Sequence, residues 1–298
     1  MNATVQNTSD DLPDEGRHVG FKHETRLRIV IGVLMWAIGS LVFGSSAWVL
    51  LARDLPPLPA DSKNTPTSPT VERAATPSFD QVERLVPGGE VVVRSADANR
   101  SERRVTVDPF RIAETVVTND QYYQFARETN HSVPQYWLAG EYPRGTATQP
   151  VTEVTLRDAL DYCEWLSRRT GLAVSLPTEA EWEMAAHGTK PWKYPWGDQW
   201  DERAAASKEA APKPYSVMSY PRGRSIYGVY DMVGSVWQWT SDSIGKDSEG
   251  QQLNVVKGGA FDELPQVNCV SSSKVVPGTA AHLSLGFRFI VRPATATK

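Results

Sequence analysis

An α+β, loop-rich domain preceded by a single transmembrane helix is the architecture that the sequence predicts. Three observations carry it. The stretch Ile29–Ala52 holds no charged residue and is rich in Leu, Val and Ile. Three later segments combine a helix-capping signature with 3.6-residue apolar spacing, while the apolar runs around them are strand-length and short. Ten tryptophans, several of them between Trp165 and Trp239, suit a frame pinned by aromatic anchors rather than by long regular elements.

In chain order, residues 1–28 read as a cytoplasmic tail and 29–52 as the span. At about 1.5 Å per residue such a helix crosses a hydrocarbon core of roughly 30 Å. A signal peptide is the competing reading, but its apolar region is usually shorter, roughly 7–15 residues, and here Arg53 follows in place of a clear cleavage motif. Arg17, Lys22, Arg26 and Arg28 precede the span, and only Arg53 and Lys63 follow closely, so the positive-inside rule keeps the N-terminus in the cytoplasm. Trp36 and Trp48, with Arg26, Arg28 and Arg53, complete the expected membrane anchor. Residues 53–78 contain Pro56, Pro57, Pro59, Pro66, Pro69 and Pro77 among Ser, Thr and Asp, a composition that favours extended conformations and reads as a tether. The domain is placed at 79–293, with a short tail at 294–298.

Within the domain, Val105–Ile112 reads as one alternating strand that ends near Pro109. Thr118 and Gln121 form a capping box, and the helix after them runs to about Thr129 with Tyr122, Phe125 and Ala126 inward. Thr155 and Asp158 open a second helix, whose Ala159, Tyr162, Cys163 and Leu166 share one face and which Gly171 ends. On that face Cys163 is a small apolar core residue rather than a reactive thiol. Thr178 and Glu181 cap a third helix, Glu179–His187, that stops at Gly188; its apolar stripe is Trp182, Ala185 and Ala186, and Glu179 and Glu181 suit the positive end of its dipole. Beyond Trp196 the chain reads mostly as loop, closing on a final strand at Leu285–Val291. Gly228, Gly234, Gly258 and Gly259 read as turn positions.

Composition excludes some functions. A formal net charge of −4, with no basic stripe, gives no nucleic-acid footprint. His18, His23, His131, His187 and His282 show no metal-ligand spacing. Cys163 and Cys269 permit at most one disulfide.

Seven ordered blocks then carry a family likeness: VTNDQYYQF (117–125), DALDYCEWLSRRTG (158–171), LPTEAEWEMAA (176–186), YPWGD (194–198), YGVYDMVGSVWQW (227–239), KGGAF (257–261) and LGFR (285–288). This order resembles the formylglycine-generating enzyme, or sulfatase-modifying factor, family. The resemblance implies a variant of the C-type lectin fold; Thr178, Glu181, Trp182, Gly258, Gly259 and Arg288 read as structural residues. It also implies a reaction, oxidation of a substrate cysteine on copper held by two cysteine thiolates shortly after the Gly-Gly motif. Here that segment reads AFDELPQVNCVSSSK. It offers one thiol, Cys269, with Asp262, Glu263 and Leu264 where the first is sought, and Cu(I) needs paired soft ligands. Relatives with a calcium site read GNVWEW, where this chain reads GSVWQW, so Ser235 and Gln238 stand in for better oxygen ligands; the calcium candidates are Asp231, Ser235, Gln238 and Asp242, a weakened set. No other cofactor is expected.

The expected function is therefore a membrane-anchored, extracytoplasmic binding or scaffold subunit of a membrane protein complex, in a bacterial cytoplasmic membrane. A glycan is a second expected partner, nucleic acid is not, and the loops Pro143–Gln149 and Ile244–Gln252 are the candidate contact surfaces. The alternative is a metal-dependent oxidase, or a maturation factor for sulfatases or for a redox enzyme such as nitrite reductase.

Overall fold

The structure, a computed structural model, describes residues 82–94, 102–209 and 213–293. The expected tail, span and tether lie outside the described residues. Among the described residues no helix is long and apolar enough to cross a membrane.

Strands β1 (Glu83–Val86), β2 (Gly89–Arg94), β3 (Glu102–Val107) and β4 (Phe110–Ala113) open the domain. Helices α1 (Asn119–Thr129) and α2 (Leu156–Thr170) follow, then β5 (Ala173–Ser175) and helix α3 (Glu179–His187). A short 3-10 turn, Pro221–Gly223, precedes β6 (Trp237–Lys246), β7 (Gln252–Lys257), β8 (Ser273–Pro277), β9 (Leu285–Gly286) and β10 (Ile290–Arg292). One sheet has the order β1-β4-β10-β5, so the first and last strands of the domain both flank β4, with Glu83 opposite Ala113 and Ile290 opposite Ile112. The second sheet is the β2-β3 hairpin, and the third runs β8-β7-β6-β9. Pairing is antiparallel except between β6 and β9.

All three expected helices form with their capping boxes closed. The Thr118, Thr155 and Thr178 side chains each accept from the backbone N–H three residues on, and Gln121, Asp158 and Glu181 reach back. The buried faces of α1 and α2 are the expected ones, joined by Trp165, and they pack with Trp237, Trp239, Phe287 and Phe289 into one cluster. Inside it Tyr122 stacks on Tyr162 at 6.3 Å between ring centroids, and Tyr162 meets Phe287 edge-on at 5.2 Å. A second cluster gathers Val91, Val93, Ile112, Trp182, Met184, Met232 and Val233 around α3.

Four expectations are corrected. Val105–Ile112 is two strands: Pro109 has no N–H for a ladder, and at Asp108–Pro109 the chain leaves the β2-β3 hairpin for the first sheet. The closing strand is also two. Leu285–Gly286 pairs with β6 and Ile290–Arg292 with β4 and β5, while Phe287 and Phe289 between them turn their carbonyls to the Val117 and Ala113 N–H groups at 2.9 and 3.0 Å. Helix α3 has no stripe, since all nine of its residues are buried. Finally, the stretch beyond Trp196 contains the largest sheet. Irregular register in β6 between Trp239 and Ser243, and again before Gly245, breaks the two-residue period that marks a strand. Of the expected loop Ile244–Gln252 only 247–251 is a turn, held by the Asp247 carboxylate, which accepts from the Glu249 and Gln251 N–H groups.

Candidate functional site

Because α3 is buried all round, each of its polar side chains needs a partner inside the protein. Lys257, at the end of β7 and 0% exposed, donates to Glu183 Oε1 at 2.7 Å and lies 3.8 Å from Glu179 Oε1 and 5.9 Å from the Trp182 ring centre. Glu179 Oε2 is 3.5 Å from the Arg103 guanidinium, and Glu183 Oε2 is 3.9 Å from His187 Nε2. Burial pushes the carboxyls of Glu179 and Glu183 up, opposed by Lys257, and pushes the His187 imidazole down. One ammonium thus offsets part of the desolvation of two carboxyls, with Arg103 helping at Glu179.

A second network meets Trp182 at its indole N–H. Arg288, fully buried, donates to Gln238 Oε1 at 2.6 Å, to the Ala113 carbonyl at 3.1 Å, and to the Tyr230 and Asp231 carbonyls at 2.7 and 3.2 Å. Gln238 Oε1 also accepts from Trp182 Nε1 at 2.9 Å, and its amide donates to the Asp231 carbonyl at 2.8 Å. The Asp231 carboxylate accepts from the Met218 N–H at 3.0 Å. Burial raises this carboxyl to about 6 and lowers the Arg288 guanidinium to about 10, each shift moderated by the other group.

The calcium candidates are therefore occupied separately. Gln238 is a core amide joining Trp182 to Arg288, Ser235 is buried with its carbonyl accepting from the Phe261 N–H, and Asp242 Oδ2 accepts from the Glu179 N–H at 2.7 Å. Asp242 thus caps α3 while Asp231 fixes the Met218 loop. Among the described residues no group of three or more His, Cys, Asp or Glu could hold a metal ion.

The segment after the Gly-Gly pair is shaped by packing. Gly258 has φ +102, and a Cβ there would sit 2.5 Å from the Met232 carbonyl; at Gly259, φ +76, it would sit 2.1 Å from Asn268 Oδ1. Asn268 in turn donates to the Ala206 carbonyl at 3.0 Å. Glu263 accepts from Trp237 Nε1 at 3.2 Å and pairs with Lys274, while Asp262 and Leu264 are exposed. Cys269 Sγ lies 3.0 Å from Ser272 Oγ and 3.5 Å from Ser271 Oγ. Cys163 is free and buried among the α1–α2 aromatics, where burial pushes its thiol up. These donors do not fit a Cu(I) ion. One thiol stands beside hydroxyls and the other is sealed in the core.

A cavity of about 920 Å³ lies elsewhere. Trp192, Trp196, Tyr227, Arg222 and Arg224 are among the residues that line it, together with Asp201. The sequence reading does not find it: YPWGD enters only as a family block and 221–227 has no role there, although Trp192, Trp196, Arg222 and Arg224 are the aromatic and cationic residues that could have signalled a site. A second cavity, about 480 Å³, lies where the β3–β4 break faces α3, and its Glu181 and Arg292 are already paired at 2.8 Å.

Short strands in three sheets, three capped helices and a loop-built second half define a strand-rich α+β domain held by buried polar networks. Residues 67–293 match a family profile described as a sulfatase-modifying factor enzyme 1-like domain, and the chain belongs to that family. Hercynine oxygenase of Mycolicibacterium smegmatis is 30% identical over 211 residues, which is 57% of this chain and 48% of the relative. Serine/threonine-protein kinase pkn1 of Chlamydia pneumoniae is 30% identical over 68% of this chain and 37% of the relative. The chain thus spans about half or less of the length of these two. The protein called inactive C-alpha-formylglycine-generating enzyme 2 in Mus musculus is 27% identical over 68% of this chain and 83% of its own length. Among solved structures, PvdO from Pseudomonas aeruginosa superposes with a TM-score of 0.58 at 22% identity, covering 71% of this chain and 94% of its own, which shows a shared fold.

Proposed function

We propose that this chain is a membrane-anchored, extracytoplasmic binding or scaffold subunit, an accessory component of a membrane protein complex in a bacterial cytoplasmic membrane. The observation that carries this is the donor set after Gly259. Where the family's chemistry would need two thiolates side by side, the chain offers Cys269 beside two serines, a Glu263–Lys274 ion pair and an exposed Leu264. The frame around that segment, by contrast, is complete. A rigid frame that presents long loops suits recognition. The uncharged stretch 29–52 and the Pro-rich 53–78 supply the anchor and tether of this reading, and a relative named as inactive is similar over 83% of its own length.

The test is extraction of native membranes in a mild detergent followed by native electrophoresis and pull-down of the chain. Co-migration with a membrane protein is expected; a chain that migrates alone sinks the subunit reading. A second reading, a metal-dependent oxidase or a maturation factor for a sulfatase or redox enzyme, is favoured by the likeness to hercynine oxygenases. Metal analysis of the purified full chain separates the two, because stoichiometric copper or iron would put the second in place of the first.

A further inference from the structure

The geometry points to the cavity between Trp192, Trp196, Tyr227, Arg222 and Arg224 as a calcium-independent site for a carboxylate-bearing sugar, such as a uronic acid within a polysaccharide. The inference rests on the binding-module reading above and names the ligand of that module.

The floor of the site is rigid. Gly223 is wedged against the Ala204 carbonyl, where a Cβ would sit 1.8 Å away, and its N–H donates to Tyr220 at 2.9 Å. Immediately after, the Ser225 N–H donates to the Val229 carbonyl at 2.8 Å, and the Ser225 hydroxyl accepts from the Tyr227 and Val229 N–H groups at 3.3 Å each. Arg222 and Arg224 therefore leave the backbone on either side of a fixed glycine. Arg224 differs from the other charges nearby. Asp201, the acid of the lining, is met by Arg203 at 3.0 Å and by Arg222 at 3.8 Å, while no hydrogen bond or ion pair engages Arg224 among the described residues. A chain of net charge −4 thus keeps an excess of guanidinium at one aromatic cavity. Lys190 lies 4.4 Å from the centre of the Trp192 ring, on one of its faces.

Guanidinium forks pair with carboxylates through two parallel N–H···O bonds. Aromatic faces are electron-rich, so they attract the polarised C–H face of a pyranose ring; Trp196 is stacked on Tyr194 at 5.2 Å on one side and Lys190 lies over one side of Trp192, so the opposite ring faces are the ones a sugar would use. A volume of about 920 Å³ lies within the roughly 300–1,000 Å³ of ordinary ligand sites. An acidic peptide shares the charge but is the poorer occupant. None of the residues lining the cavity belongs to a strand, so no ladder edge is offered to a peptide backbone.

The experiment uses the full chain in detergent, titrated with hexagalacturonate, with the neutral hexamer of galactose and with a Glu-rich hexapeptide, and read by intrinsic tryptophan fluorescence with and without EDTA. Saturable binding of hexagalacturonate alone, unchanged by EDTA, is expected. Arg224→Ala and Trp192→Ala are each expected to weaken it by about tenfold or more, with the near-ultraviolet circular dichroism of the chain preserved. Binding that needs calcium, equal binding of the neutral hexamer, preference for the peptide, absence of binding, or indifference to both substitutions would each overturn the site. A chain that co-migrates with a membrane partner yet ignores hexagalacturonate fails this inference alone. A chain that migrates alone yet binds it fails the subunit reading and keeps the site.

Discussion

Arg288 is the residue on which the frame closes. Its guanidinium meets three backbone carbonyls and one amide oxygen, drawn from β4, the 230–231 loop and β6, at 2.6–3.2 Å. Water cannot replace these bonds in a fully buried site, so Arg288→Met would leave the Ala113 and Tyr230 carbonyls unpaired. Urea denaturation should show a loss of about 3–5 kcal/mol, and Arg288→Lys should recover little because an ammonium cannot span the fork. Asp231 beside it makes a prediction in pH. Burial raises its carboxyl from 3.8 to about 6, so the folded state holds this proton more tightly than the unfolded chain does. Its contribution is therefore present below pH 3.8 and is lost as pH rises through 6. His187 acts in the opposite sense, since its lowered value makes stability fall as pH drops below 6.5. Asp231→Asn should remove the first component and leave the second. The stability of the variant should then rise more steeply between pH 4 and pH 6, by chemical denaturation at a pH series, than that of the unsubstituted chain; parallel profiles would contradict the assignment.

At the scale of elements, α3 shows how one local signal serves two purposes. Glu181 accepts from the Thr178 N–H at 2.8 Å, closing the capping box, and pairs with Arg292 of β10 at 2.8 Å, tying the helix start to the last strand. Thr178→Ala removes the cap alone and should cost about 1 kcal/mol, measured by thermal or urea unfolding. Glu181→Ala removes both bonds and should cost more; equal losses would mean that the strand tie is idle. Caps were legible in the sequence because they are local, fixed by residues three apart. The β6–β7–β8 sheet was not, because its pairing is long-range and bulges in β6 scatter the alternation that would announce it. The same locality explains Gln238. Read within VWQW it resembled a depleted calcium ligand, but its neighbours in space, Trp182 and Arg288, lie 56 and 50 residues away in sequence. The Gly-Gly pair was legible as a turn, whereas its reason, the close approach of Met232 and Asn268, was not.

On the scale of the whole molecule, the polar pairs that fix the frame and the thiols are separate groups. Lys257 with Glu183 and Arg288 with Gln238 are buried pairs that make no hydrogen bond to Cys269, whose thiol lies beside Ser271 and Ser272. That separation makes the missing thiol pair testable without knowing a substrate. The chain holds two cysteines, and Cys163 is unable to reach Cys269 from the inner face of α2 without unfolding the aromatic cluster. One thiolate holds Cu(I) weakly, since tight sites for this soft ion combine sulfur donors. Competition against bicinchoninate should therefore find the full chain and Cys269→Ser equally unable to withdraw Cu(I), with Ser272→Ala as a control for the hydroxyl that lies 3.0 Å from the thiol. A tight one-to-one copper complex that vanishes in Cys269→Ser would move the protein to the oxidase class, with the second donor supplied from outside the described residues.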